Sequence, residues 1–245
     1  MIPPIPVVVR GTMDTRIHIS SASAVPPLAT RRFTIADKDM LTFSNGGSPL
    51  SRAELTIAWI WRPRSVHAGG LVYAGDITNA SEVYQINPFN DGFYWFSGNQ
   101  MLQYIVDTWT LDAVTNTVAG AAKRVHQYNY STGVWTHTAK GAAAADPGLV
   151  LTQITVGRFN NNATQFLDAD LAALGVWGRP LSDGELETLT ATPAAWIAQA
   201  PSILWLFNQP SILTSVPDSS GGGSVQTART GTTVSFGQLP AAFRY

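Results

Sequence analysis

Most of the chain is a succession of short β-rich runs separated by glycine, asparagine and proline. The clearest run extends from Glu54 to Pro63 and alternates with period two, which places its apolar side chains on one face of a strand that Pro63 ends. Those apolar side chains are Leu55, Ile57, Trp59 and Trp61. A dozen or more such runs with regular turn signals predict an antiparallel two-sheet sandwich, not an α/β enzyme fold.

Further strands are predicted between the turn residues. They cover residues 33–35, 40–43, 70–74, 81–86, 92–96, 101–106, 118–130, 134–138, 149–156, 171–177, 202–207 and 232–236. The turn Ser131–Gly133 predicts a hairpin across which His126 and His137 could face one another, most simply as ordinary contacts on a sheet face. Two short helices are predicted near residues 182–199, the first from the capping box of Ser182 and Glu185 and the second from Thr192 followed by a proline.

Composition excludes several classes of protein. The chain of 245 residues has no cysteine, so disulfide frameworks, cysteine zinc sites and thiol nucleophiles are excluded. Fifteen Lys and Arg against sixteen Asp and Glu give a net charge of −1, without a basic run, which argues against a nucleic-acid partner. Charged residues are only 13% of the chain while 45% are hydrophobic, which favours a surface partly covered by other subunits.

The chain carries no sign of membrane insertion or export. Its apolar runs are shorter than the roughly 18 residues that span a bilayer, and the first residues, MIPPIPVVVRG, lack the order of a signal peptide. We therefore expect synthesis in the cytoplasm.

Three regions are expected. Residues 1–30 contain five prolines and predict an extended N-terminal arm. Residues 31–207 form the sandwich, and residues 208–245 form a C-terminal extension that packs on the sandwich or on a neighbour.

The later strands carry a family resemblance. Residues 154–158 and 166–186, which include Leu181-Ser182-Asp183-Gly184-Glu185-Leu186, resemble the closing strands and short helix of laminin-G-like, concanavalin-A-like jelly rolls. Asp168-Ala169 stands where that pattern usually has a glycine. Trp205-Leu206-Phe207 followed by Asp218-Ser219-Ser220-Gly221 is similar to the family's opening motif, although here it comes last.

The resemblance implies an all-β jelly-roll sandwich. Free-standing chains of this type with proline-rich arms look like minor tail or other virion proteins of bacteriophages, an analogy of architecture. It implies localisation in a virion, as a homo-oligomer or in several copies within an assembly, with the arm and the C-terminal extension contacting other virion proteins.

Catalytic carboxylates are not indicated. Retaining glycosidases need two carboxyl groups about 5 Å apart, and those of this architecture carry them as Glu-x-Asp-x-x-Glu, which does not occur here. Asp168 and Asp170 alternate like a pair but are expected in a turn. The histidines His18, His67, His126 and His137 lack the spacing of a metal site. We therefore expect no enzyme activity.

Calcium is the ion that the loops favour, because it takes carboxylate and amide oxygens. Asp76, Asn79 and Asp91 lie in predicted loops that could share one rim. The alternative is that these residues only form turns.

A glycan site needs an aromatic platform with polar groups beside it. The run Phe93-Tyr94-Trp95-Phe96 puts two aromatic residues on each face of one strand, so at least one pair points away from the core. We expect the site at Trp95, Tyr94, Asp91, Asn90 and Tyr84.

Two functions remain open at this point. The first is a phage tail-associated protein whose lectin-like domain contacts host-surface glycan or neighbouring virion subunits, without catalysis. The alternative is a capsid decoration or assembly protein that binds no sugar, since outward Trp and Tyr also anchor protein interfaces. A glycan-degrading enzyme ranks third.

Overall fold

A computed structural model describes residues 29–34, 36, 38–44, 50–51, 54–65, 72–74, 84–89, 92–95, 99–117, 122–139, 150–151, 153–158, 166–207, 216–222, 225–230, 235–238 and 243. The strands are β1 (Ala29–Phe33), β2 (Met40–Ser44), β3 (Leu50–Ser51), β4 (Glu54–Pro63), β5 (Val72–Ala74), β6 (Tyr84–Phe89), β7 (Gly92–Trp95), β8 (Asn99–Gln103), β9 (Thr110–Thr117), β10 (Ala122–Asn129), β11 (Val134–Ala139), β12 (Val150–Leu151), β13 (Gln153–Val156), β14 (Ala169–Trp177), β15 (Ile203–Leu206), β16 (Val225–Thr230) and β17 (Ser235–Gln238). The helices are α1 (Asp183–Thr188) and α2 (Pro193–Ala198). Among the described residues, neither helix is long and apolar enough to cross a membrane.

Two antiparallel sheets form the jelly-roll sandwich that the sequence predicts. The large sheet has the order β11-β10-β9-β4-β14-β1-β17, and β15 also pairs with β14. The second sheet has the order β16-β2-β13-β5-β6-β7-β8, and β3 pairs separately with β12. Because the chain crosses repeatedly between the two sheets, most residue contacts within the sandwich join positions far apart in the sequence.

The inner core lies between the two sheets. The period-two side chains of β4 all contribute to it, as predicted, together with apolar side chains of β2, β13 and β14. Phe43 of β2 stacks on Trp205 of β15 with ring centroids 3.9 Å apart. The five largest fully buried side chains are tryptophans, so packing of aromatic rings supplies much of the apolar burial.

Strand β14 changes face at a bulge. Leu171 pairs with Trp61 and Ala173 pairs with Ile60, so Ala172 is the extra residue. Upstream of the bulge Leu171 faces the inner core, and downstream of it Leu174 does. The bulge therefore explains how a run without strict alternation forms a fully buried central strand.

The two helices cover the outer face of the large sheet. Leu186 of α1 and Trp196 of α2 are buried there against Ala58 and Ala173 of the sheet, forming an outer core. Trp196 Nε1 donates to Leu189 O (2.7 Å), and Trp177 lies 5.8 Å from Trp196 between ring centroids. The large sheet is consequently buried on both faces at its centre.

The C-terminal part of the chain joins both sheets. Asp218 Oδ1 accepts hydrogen bonds from Leu204 N (3.0 Å) and Ser220 N (2.9 Å), which ties the Asp-x-Ser-Gly turn to β15. Strand β16 pairs with β2, and β17 pairs with β1. The boundaries of the three predicted regions stay predictions, and residues 1–28, most of the proposed arm, lie outside the described residues.

Several sequence-based interpretations were wrong, and strand β16 was not predicted. The predicted strand 118–130 is β10, which begins at Ala122, and the preceding strand β9 was not predicted. Asp170 lies inside β14 and not in a turn.

Candidate functional site

A tight hairpin between β10 and β11 positions the candidate site. Asn129 Oδ1 accepts hydrogen bonds from Ser131 N (2.8 Å) and Thr132 N (3.3 Å), as asparagine commonly does in a turn. Gly133 has a φ of 71°, which a residue without a Cβ adopts readily, and its N–H donates to Asn129 O (2.8 Å). The turn thereby fixes the register of the two strands.

That register brings aromatic rings together across the hairpin. His126 lies opposite His137, as predicted, and Tyr128 lies opposite Trp135. The Tyr128 and Trp135 ring centroids are 5.3 Å apart, and Tyr130 lies 5.0 Å from Tyr128 edge to face. Trp135 also stacks on His137, with centroids 5.1 Å apart and an interplanar angle of 8°. We call Tyr128, Tyr130 and Trp135 the aromatic strip.

The aromatic strip is half-buried. Its rings pack at the margin of the outer core and leave part of their surface in solvent. The Tyr130 hydroxyl donates to Thr190 O (3.5 Å), and burial, with a smaller contribution from Tyr128, raises the pKa of Tyr130. The strip is therefore a fixed apolar surface that remains accessible on one side.

Helix α1 lies beside the hairpin and begins with the predicted capping box. Ser182 Oγ accepts from Glu185 N (3.3 Å), and Glu185 Oε2 accepts from Ser182 N (2.8 Å). The first helical residue, Asp183, accepts from Arg124 of β10 through both oxygens, at 2.7 Å for Oδ1 and 2.8 Å for Oδ2. The capped helix and this ion pair hold an aspartate over the histidine pair.

Two histidines and Asp183 converge at this place. The Nδ1 atoms of His126 and His137 are 2.8 Å apart, and each is 3.7 Å from Asp183 Oδ1. On the other side of its ring, His126 Nε2 lies 3.1 Å from Thr115 Oγ1. The donor atoms of the three residues all lie within 4.8 Å of one another.

Burial and local charge set the protonation of the group. Burial lowers the pKa of His126 to about 3, the electrostatic interactions with Arg124 and His137 act in the same direction, and that with Asp183 opposes them. Hydrogen bonding to Arg124 lowers the pKa of Asp183. At neutral pH a neutral His126 imidazole therefore lies beside an ionised carboxylate.

Three residues of the predicted glycan site, Tyr84, Tyr94 and Trp95, belong to the second sheet. Tyr94 and Trp95 lie on β7 and Tyr84 lies on β6, and these two strands are hydrogen-bonded neighbours in which Trp95 pairs with Ile86. Asn90 and Asp91, and the calcium candidates Asp76 and Asn79, fall outside the described residues. This site and the calcium site stay predictions.

The alternating carboxylates Asp168 and Asp170 are engaged in ion pairs. Asp170 is fully buried and accepts from Arg32 Nε (2.7 Å) and from the Arg62 guanidinium. Asp168 Oδ2 accepts from Ser65 Oγ (2.7 Å). Asp170 therefore belongs to a buried charge cluster on β14, and Asp168 lies just before that strand.

Sequence reasoning found the histidine pair and missed its third member. The spacing of the histidines along the chain was searched for a metal motif, whereas the group is assembled across a hairpin and from a helix further along the chain. The capping box at Ser182 was the available signal, because it fixes where Asp183 begins the helix.

Comparisons by sequence find no relative: no protein-family model and no curated protein matches the chain. Solved structures do resemble it. A protein from Bacteroides ovatus that is proposed to bind carbohydrate is 10% identical with a TM-score of 0.55, over 90% of this chain and 62% of the other.

Two further solved structures are similar at lower scores. The heptameric SAP-like pentraxin of Limulus polyphemus is 12% identical with a TM-score of 0.48, over 66% of this chain and 81% of that one. Domains LG4-5 of the mouse laminin alpha1 chain are 10% identical with a TM-score of 0.45, over 62% and 43% of the two chains. At such identities the likeness to the Bacteroides structure establishes the fold alone: this chain is an antiparallel two-sheet jelly-roll sandwich.

Proposed function

We propose that this protein is a non-catalytic binding protein that holds a glycan against the aromatic strip. The observation that carries the proposal is the strip itself, in which three half-buried rings lie in contact on the outer face of the hairpin, Tyr130 edge to face with Tyr128 and Trp135 tilted against it. Aromatic faces bind the apolar face of a sugar ring, and a few fixed polar groups beside them select its hydroxyls.

Polar groups of the required kind border the strip. Asp183 and Glu187 of α1 lie near His137, which stacks on Trp135 at one end of the strip. Arg124 of β10 pairs with Asp183. Fixed carboxylate acceptors and guanidinium donors are suited to sugar hydroxyls, which both donate and accept.

The ion pairs of the alternating carboxylates support binding over hydrolysis. A general acid of a glycosidase must be able to hold a proton near the substrate, whereas Asp170 is buried between two guanidinium groups. The proposal therefore assigns this pair to the stability of the sheet.

We also propose that the glycan lies on a host surface and that the protein is a tail-associated component of a phage virion, present in several copies. The low charge and the proline-rich first 30 residues support assembly with other subunits. Immunogold labelling of native particles should decorate the tail. Labelling of the capsid would favour the decoration-protein alternative, and unlabelled particles would overturn the virion role.

A glycan array with the full chain tests the binding function. We expect wild type to bind a defined set of glycans and W135A to lose that binding, because the indole of Trp135 is the largest ring of the strip. V134A is the matched control, since Val134 is adjacent on β11, is 58% exposed and lies outside the strip.

A third variant distinguishes the two candidate surfaces. If W95A binds as wild type does, the hairpin is the site; if W95A loses binding and W135A retains it, the site lies on β7 and the hairpin assignment is wrong. Absence of binding by wild type to any glycan would favour an assembly protein.

A further inference from the structure

We propose that His126, His137 and Asp183 bind one divalent metal ion of the zinc type, through the two Nδ1 atoms and Asp183 Oδ1. The site adjoins the proposed glycan surface and shares Asp183 with its polar border, whereas its two histidine ligands lie outside the aromatic strip. It goes beyond the proposed function.

The distances between the donor atoms fit such an ion. Zinc with ligands at about 2.0–2.1 Å in a tetrahedral arrangement separates neighbouring donors by about 3.3 Å. Here the separations are 2.8 Å between the nitrogens and 3.7 Å from each nitrogen to Asp183 Oδ1. The nitrogens need to part by about half an ångström and the carboxylate to approach by a similar distance.

The chemical nature of the donors selects the metal class. Two imidazole nitrogens with one carboxylate suit zinc and its first-row neighbours, whereas calcium and magnesium take oxygen ligands. Three protein ligands also leave a fourth position for water or another ligand, as in open zinc sites.

The surroundings orient the ligands. Thr115 Oγ1 lies 3.1 Å from His126 Nε2 and can accept a hydrogen bond from its N–H, which leaves the Nδ1 lone pair directed at the site. A hydrogen bond to the far nitrogen is the usual support of a metal-binding histidine. Trp135 stacks on His137 and restricts rotation of that ring.

Arg124 is the competitor for the carboxylate. Its two nitrogens donate to the two oxygens of Asp183, so a metal on Oδ1 displaces one of these hydrogen bonds and leaves the one to Oδ2. Asp183 is partly exposed whereas His126 is buried, so an ion would enter from the side of α1.

Isothermal titration of the tag-free full chain with ZnCl2 tests the proposal, and CoCl2 gives an independent readout through the visible absorption of four-coordinate Co²⁺. We expect one equivalent bound per chain. H137Q and D183N should each lose this binding of one equivalent of metal. T115V should bind the metal about 10–100-fold more weakly.

The double variant H18Q/H67Q is the control, because it removes the other two histidines of the chain and should bind as wild type does. Melting curves without metal establish that each variant is folded. H126Q changes the third ligand, and if it does not fold, metal binding by H137Q and D183N tests the site. No stoichiometric binding by wild type, retention of it by H137Q and D183N, or its loss in H18Q/H67Q would overturn the site. Glycan binding by a protein that takes no zinc would leave the proposed function standing.

Discussion

At the scale of single residues, burial disfavours the charged form of acidic side chains inside the sandwich. Asp112 of β9 is almost fully buried and its Oδ2 accepts from Trp61 Nε1 (2.6 Å) and Thr110 Oγ1 (2.8 Å). Burial raises the pKa of Asp112 to about 6, although hydrogen bonds such as that from Thr110 act in the opposite direction. Folding therefore favours the protonated form of this carboxyl.

The variant D112N should remove a pH dependence from the free energy of unfolding. Because the pKa of Asp112 is raised in the folded state, its contribution is greatest below about pH 4 and is lost as the pH rises through about 6. Relative to D112N, wild type should lose on the order of 3 kcal/mol between about pH 4 and about pH 7. Urea unfolding at a series of pH values measures the difference, in which the titration of other groups cancels.

An unchanged difference between the two proteins across that range would contradict the prediction. The asparagine amide oxygen can still accept from Trp61 and Thr110, so the variant retains these partners, while it removes the charge and replaces Oδ1 by an NH2 group.

At the scale of elements, α1 depends on its capping box. Removal of the Ser182 hydroxyl in S182A should lower the free energy of unfolding by about 0.5–2 kcal/mol, since Glu185 N loses its acceptor. G184A on the same helix should raise it by up to about 1 kcal/mol, because a methyl group there meets no atom within 4 Å. Midpoints of urea unfolding measure both. If S182A and G184A change the free energy of unfolding by the same amount and in the same direction, α1 is not stabilised by its first turn.

The elements with a strong local signal were predicted from the sequence. Strand β4 has strict alternation, the hairpin has Gly133 in its turn, and both helices carry caps. Strand β9 was missed because polar side chains such as Asp112 and Asn116 are buried in it. Their burial depends on partners from other strands, which local patterns do not reveal.

The same reason limits prediction of the site. His126 and His137 face one another because of a local turn, so the sequence predicted them together. The approach of Asp183 depends on how α1 packs on the large sheet, a property of the outer core that no spacing of ligands along the chain expresses.

At the scale of the whole molecule, the outer core reaches the C-terminal region. Phe243 is fully buried and lies 6.3 Å from Trp196 between ring centroids. This contact therefore joins the last described residue of the chain to α2.

F243A should destabilise the whole sandwich. Removal of a buried phenylalanine ring costs about 3–5 kcal/mol, and one cooperative transition should shift as a unit. Guanidinium unfolding followed by tryptophan fluorescence measures the shift. I105A is the control, since Ile105 is 58% exposed, and should change the stability by less than about 0.5 kcal/mol. A separate early transition in F243A would show that the C-terminal region unfolds independently.

The pairing of β1 with β17 joins the first and the last described strands of the chain. A nascent chain that has just left the ribosome through β15 still lacks the outer neighbour of β1, and it also lacks β16 beside β2. Both sheets then have an unpaired edge at the same moment, when association with a second nascent chain competes with folding. Completion of the sandwich is consequently an event that follows translation of β17, and the yield of native protein should depend on how many chains are made at once.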